Sequence, residues 1–159
     1  MSEFPDRILQ KELDRYFNLK PNSIGPPKLY LGAGIRKVEL ENGAKDWAAS
    51  SSQYVQESVK NVERYLEKQD IPRRWKLPKK AETPLPTSYR PELDVTPELE
   101  PTEASFYASL IGMLCWVVEL GRIDICLEVS MMSSYLALPR EGHLKEVLHM
   151  FAHLKKYHK

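Results

Sequence analysis

The stretch Pro72-Arg-Arg-Trp-Lys-Leu-Pro-Lys-Lys-Ala-Glu-Thr-Pro-Leu-Pro-Thr-Ser-Tyr-Arg-Pro-Glu-Leu-Asp-Val-Thr-Pro-Glu-Leu-Glu-Pro101 holds seven of the twelve prolines in this 159-residue chain. Each proline removes a backbone donor and biases the preceding residue toward extended geometry, so no helix or central strand is expected to run through it. The stretch therefore divides the sequence into an N-terminal block, 1–70, a Pro-rich linker, 71–101, and a C-terminal block, 102–159. Charge within it is segregated. Arg73, Arg74, Lys76, Lys79 and Lys80 surround Trp75 without an acid, whereas Glu92 to Glu103 carries five acids and no base. A basic run with an aromatic can neutralise phosphates and stack a base; alternating charge blocks also describe a solvated linker.

Upstream, Ile8, Leu9, Leu13, Tyr16 and Phe17 recur at helical spacing over Asp6–Phe17 and predict a short amphipathic helix. Between Lys28 and Ala49, Tyr30 and Leu31 have strand character. Asn42-Gly43 is the strongest hairpin signal, because Asn and Gly take the positive φ angles of a type I′ turn at low cost. Gly32 and Gly34 suggest a bulge or close backbone approach. Ser50-Ser51-Ser52 offers caps for a long helix whose apolar face is Tyr54, Val55, Ser58, Val59, Val62, Tyr65 and Leu66.

Downstream, three helices are predicted. The first runs from Thr102, read as its cap, to about Leu120 and stops at Gly121. The second covers Ile123 to about Leu136 and closes at Pro139. The third runs from Glu141 to Tyr157. The fold class expected is α+β, mostly α: short helix, β-hairpin, long helix, Pro-rich linker and a three-helix C-terminal bundle.

Chemistry-bearing motifs are sparse. With 23 basic and 22 acidic residues, the chain is not one that holds nucleic acid by bulk charge. Cys115 and Cys126 lie in apolar runs and read as small core residues in a reducing compartment, intracellular, cytoplasmic or nuclear. Met1–Arg7 lacks the apolar stretch of a signal peptide, and Phe106–Val118 is too short for a membrane span. His149 and His153 share a helix face, but the acidic partner of a zincin motif is missing; the four C-terminal histidines read as the polar side of a helix. No Gly-x-Ser-x-Gly elbow, P-loop or paired-aspartate motif is present.

The order of short motifs resembles the reverse transcriptase of copia-type LTR retrotransposons downstream of its catalytic loop. These are Tyr30-Leu31-Gly32, Ser52-Gln53-Tyr54-Val55, Thr83-Pro84, Tyr107 with Ile111-Gly112-Met113-Leu114-Cys115-Trp116, Gly121-Arg122-Ile123-Asp124-Ile125, and Ser134, Pro139, His143 and His153-Leu154-Lys155. Departures from the family pattern are Gly121 for Thr, Ile123 for Pro and His153 for Tyr. The resemblance implies an end-of-palm and thumb fragment whose Tyr-Leu-Gly hairpin is similar to a primer grip. By that analogy Tyr30, Leu31 and Gly32 would lie near the primer end. Lys28, Arg36, Lys37, Lys60 and Arg64 would contact phosphates, with Arg73 and Arg74 in the basic run. The implied partners are primer–template nucleic acid and the remaining reverse transcriptase and ribonuclease H parts, with no membrane. The family's Tyr-x-Asp-Asp loop, whose aspartates bind Mg²⁺ in the intact polymerase, does not occur here. The fragment is therefore expected to carry no cofactor and no polymerase activity alone. A protein-interaction module and a metal-dependent enzyme on the histidine helix are the competing readings. Faces that meet absent polymerase parts are expected as exposed apolar patches.

Overall fold

The computed structural model describes residues 9, 11–18, 26–68 and 75–158. Three antiparallel strands, β1 (Leu29–Tyr30), β2 (Ala33–Glu39) and β3 (Lys45–Ser50), form a sheet in the order β1-β2-β3. Helix α1 (Ser52–Glu67) follows directly. One 3₁₀ turn (Pro91–Leu93) precedes α2 (Pro101–Glu119). A second (Ile123–Ile125) leads into α3 (Cys126–Ser133), and α4 (Glu141–Lys156) ends the described chain. The fold is α+β and mostly α, in the expected order. Of the expected N-terminal helix, Leu9 and residues 11–13 are helical; the rest of its first two turns lies outside the described residues.

The two hairpin turns reverse the sequence expectation. Leu31 (φ 51°) and Gly32 (φ 95°) both take positive φ between the paired residues Tyr30 and Ala33. That is the two-residue type I′ connection. Asn42 does not take positive φ. The Leu40 carbonyl accepts from Gly43 N at 2.8 Å, Leu40 N donates to the Ala44 carbonyl at 2.8 Å, and only Gly43 (φ 78°) is left-handed. This is a type I turn closed by a glycine bulge. The register decides the matter: Glu39 pairs with Lys45, which leaves too many residues for a two-residue loop. Leucine in the left-handed region costs about 1–2 kcal/mol. The Leu31 side chain is mostly exposed and its carbonyl, which accepts from Trp116 Nε1 at 3.1 Å, survives substitution. Leu31→Gly is therefore expected to raise stability by about 0.5–1 kcal/mol after the added chain entropy is subtracted, read as a higher urea midpoint. An unchanged or lowered midpoint contradicts the strain.

One core joins the two blocks. Val55, Val59 and Val62 of α1 meet Phe106, Leu110, Leu114 and Val117 of α2 and Leu144, Leu148, Phe151 and Leu154 of α4. The predicted face of α1 is the buried one, with Tyr65 at its margin stacked on Phe106 at 4.3 Å. Helix α2 starts with Pro101 at its first turn after Glu100, so Thr102 is not the cap. It stops at Gly121 (φ 105°) as read. The expected second helix splits into the 3₁₀ turn and α3. Tyr107, fully buried, donates its hydroxyl to the Met132 carbonyl at 2.6 Å and fixes α3 against α2.

The described part of the Pro-rich stretch is not a solvated linker. It is a strap laid against α4, with Trp75, Ala81, Pro91 and Leu99 buried. Its carbonyls are held by histidines rather than by a ladder. His143 Nε2 bonds the Pro91 carbonyl at 3.1 Å, His149 Nε2 that of Thr83 at 3.0 Å, and His153 Nδ1 that of Ala81 at 3.4 Å. His143 and His153 are buried, so they do not line a solvated helix face; the extended strap needs donors that its own irregular backbone cannot supply. The two cysteines are exposed, not core. The buried positions near them are Leu114 and Val117 around Cys115, and Ile125 and Val129 around Cys126.

Candidate nucleic-acid interface

Strand alternation divides the residues singled out from the sequence. Paired residues share a face, so Lys28, Tyr30, Ile35, Lys37, Lys45, Trp47 and Ala49 stand on one side of the sheet. Leu29, Gly34, Arg36, Val38, Asp46, Ala48 and Ser50 stand on the other. The Ile35 N–H bonds the Lys28 carbonyl at 2.9 Å, extending the pairing of β1 to that lysine. The Lys37 ammonium lies 5.0 Å from the centre of the Trp47 ring, a cation–π contact between cross-strand partners. Lys28, Tyr30, Lys37, Lys45 and Trp47 are all exposed. Glu39 is the one acid on this face among the described strands.

Arg36 belongs to the opposite face. With Gly34, Ile35, Ala49 and Ser50 it lines a groove at the sheet edge, closed by Ser52, Gln53 and Gln56 of α1 and reached from both faces. Lys60 and Arg64 continue that exposed helix stripe beyond Gln56. Both bond Glu57, Lys60 at 3.1 Å and Arg64 at 3.8 Å. These are exposed pairs of small strength, so a phosphate can displace the carboxylate. Thus Arg36 and Lys37, neighbours in sequence, stand on opposite faces of the sheet. Leu31 and Gly32 form the turn at one end of the sheet. A Cβ at Gly32 would come within 3.0 Å of Tyr54, so the glycine lets the turn approach α1. Trp116 on α2 anchors the same turn through the Leu31 carbonyl.

Arg73 and Arg74 lie outside the described residues. Trp75, beside them, is not a stacking platform: it is buried and donates Nε1–H to Glu103 Oε1 at 2.7 Å. Sequence reasoning missed Trp47 and Lys45. Their signal was the alternation Lys45-Asp46-Trp47, which sets both on one face once the Gly43 bulge fixes the register.

The remaining polar clusters are structural. Arg122, buried, donates to both Asp124 oxygens at 2.8 and 2.7 Å and to the Tyr157 carbonyl at 2.6 Å. Its guanidinium holds the Asp124 carboxyl below the usual carboxylate range. Burial pushes the His153 imidazole down. Burial also pushes the Glu146 carboxyl up. Among the described residues, no group of three or more His, Cys, Asp and Glu side chains could hold a metal ion, and no helix is long and apolar enough to cross a membrane. No protein-family model, curated protein or solved structure matches the chain.

Proposed function

We propose that the chain is a nucleic-acid-contacting piece of a copia-type reverse transcriptase, the hairpin and thumb region that follows the catalytic loop, inactive as a polymerase by itself. The observation that carries this reading is the exposed sheet face with Lys28, Lys37 and Lys45, none of which is in an ion pair among the described residues. Lysines on a projecting sheet neutralise phosphates without reading sequence, as a polymerase grip requires. The Arg36 groove and the Lys60–Arg64 stripe extend the basic surface round the sheet edge. Magnesium-dependent chemistry belongs to the carboxylate loop of the parent enzyme, a motif this sequence lacks.

The test is fluorescence anisotropy of a labelled primer–template across a salt series. With about three phosphate contacts the slope of log K against log salt is about −2.7, or roughly 40-fold weaker binding from 50 to 200 mM salt. Lys37→Gln lowers the slope by about 0.9. Absence of binding at 50 mM salt, or primer extension by the purified chain with Mg²⁺ and nucleotides, overturns the proposal.

A second reading has its own support. Ile123 and Leu127 are 79% and 69% exposed, and Leu136 and Leu138, after α3, are exposed as well. Such side chains suit contact with other polymerase or ribonuclease H parts. Concentration-dependent association without primer–template affinity favours an interaction module instead.

A further inference from the structure

We infer that the sheet face carrying Tyr30 and Trp47 is a stacking platform for single-stranded nucleic acid, binding unpaired bases and not only phosphates; this rests on the nucleic-acid reading above. Tyr30 pairs with Ala33, and Trp47 pairs with Lys37. Along the strand direction the rings are four β2 residues apart, about 13 Å at 3.3 Å per residue, and two strand spacings across, about 10 Å. The diagonal is about 16 Å. Lys28 and Lys37 lie along it, and Lys45 continues it past Trp47. The face therefore carries two rings and three lysines around a central Ile35, with Glu39 beside Lys45 at its far end, over a length that several nucleotides of one strand would cover.

Tyr30 is 64% and Trp47 46% exposed. On this face Tyr30 pairs with Ala33, and Trp47 has Ala49 and Lys37 beside it, short or displaceable side chains that leave both rings partly open to solvent. A duplex hides its base faces within the stack and offers such rings nothing to stack on; an unpaired strand offers a π face at every nucleotide. The Lys37 ammonium over the Trp47 ring is the arrangement an incoming base would replace: the base takes the ring, and the ammonium turns to the adjoining phosphate. Tyr54 and Trp116 hold the Leu31–Gly32 turn, so β1 is presented at a fixed distance from β3 rather than on a free hairpin.

The experiment uses the full chain with three probes: labelled dT12, labelled rU12 and a blunt dT12–dA12 duplex, with anisotropy and tryptophan fluorescence as readouts. Tighter binding of dT12 or rU12 than of the duplex, with quenched fluorescence, is expected. Trp47→Ala weakens single-strand binding by about 5- to 100-fold and leaves the salt slope unchanged, and Trp47→Phe restores most of it. Trp47 is exposed, so these variants keep the fold, checked by unchanged far-ultraviolet circular dichroism. Trp47→Ala with wild-type affinity for dT12 and rU12 overturns the inference. So does primer–template or duplex binding without single-strand binding, an outcome that leaves the backbone-gripping role standing. Loss of affinity for every probe overturns both.

Discussion

Gly142→Ala is expected to destabilise the protein by about 2–4 kcal/mol, against the usual gain when alanine replaces glycine in a helix. Gly142 sits in the first turn of α4. A Cβ there would overlap Asp94 Oδ2 and come within 2.7 Å of its Cγ. The carboxylate cannot step aside, because it is bonded on several sides. Asp94 Oδ1 accepts from the Thr96 hydroxyl and, at 2.9 Å, from the Thr96 N–H; Oδ2 accepts from the Tyr89 hydroxyl at 3.0 Å. Burial pushes the Asp94 carboxyl up, but these bonds outweigh it and hold the group below its ordinary value. The Gly142 N–H donates to Thr96 Oγ1 at 2.8 Å, so moving the helix breaks the same network. Arg140, through the Thr96 carbonyl at 2.7 Å, and His143 at Pro91 secure the joint from either side. The measurement is the urea midpoint of Gly142→Ala, of Asp94→Ala and of the double variant. The double variant should be more stable than the sum of the two singles implies, since removing the carboxylate makes room for the methyl. Additive losses would show that the glycine is required for some other reason.

This joint was invisible in the sequence for a definite reason. Helical periodicity is local: Val55, Val59 and Val62 declare one face of α1 without reference to anything else, and Gly121 ends α2 by its own backbone freedom. The pairing of Gly142 with Asp94 spans nearly fifty residues and leaves no spacing pattern. The same holds for the histidines. Their helix could be read, but not that three of them would turn to carbonyls of an irregular strap, because nothing near Ala81, Thr83 or Pro91 announces an unfilled acceptor. The cysteine reading erred differently. Helix α2 is apolar nearly all round, so composition could not say which side is inward, and Cys115 falls on the outer one.

The candidate interface was half legible. The basic residues of β2 are legible in the sequence, but not that Arg36 and Lys37 divide between the two faces. Their separation follows from the pleat, and the choice of which neighbours join each follows from register. Register depended on the turns, and there the Asn42-Gly43 signal pointed to the wrong turn type while the type I′ turn formed at Leu31-Gly32. A leucine is a poor residue for that conformation, so its local preference argued against the structure it adopts. Tertiary anchoring by Trp116 and the approach of Tyr54 over-determine it.

Trp75→Ala is expected to cost about 3–5 kcal/mol of stability and to leave nucleic-acid affinity of the folded fraction within about two-fold. In sequence Trp75 stands inside the most basic run of the chain, the natural place for a stacking residue. In the fold it is the strap's main anchor. Its ring is buried with Leu66, Leu77 and Ala152 nearby, and its Nε1–H reaches the buried Glu103 at the start of α2. Removing it therefore leaves a cavity and takes a donor from a carboxylate inside the protein, two penalties of which the cavity is the larger. Trp75→Phe separates them: it keeps most of the volume and lacks the N–H, so it should lose about 1–3 kcal/mol. Both are read from denaturant midpoints, with dT12 anisotropy measured where each variant is fully folded. Trp47→Ala should change affinity and spare stability, and Trp75→Ala should do the reverse. A stable Trp75→Ala protein with affinity lost would move the binding surface from the sheet to the basic run and the strap.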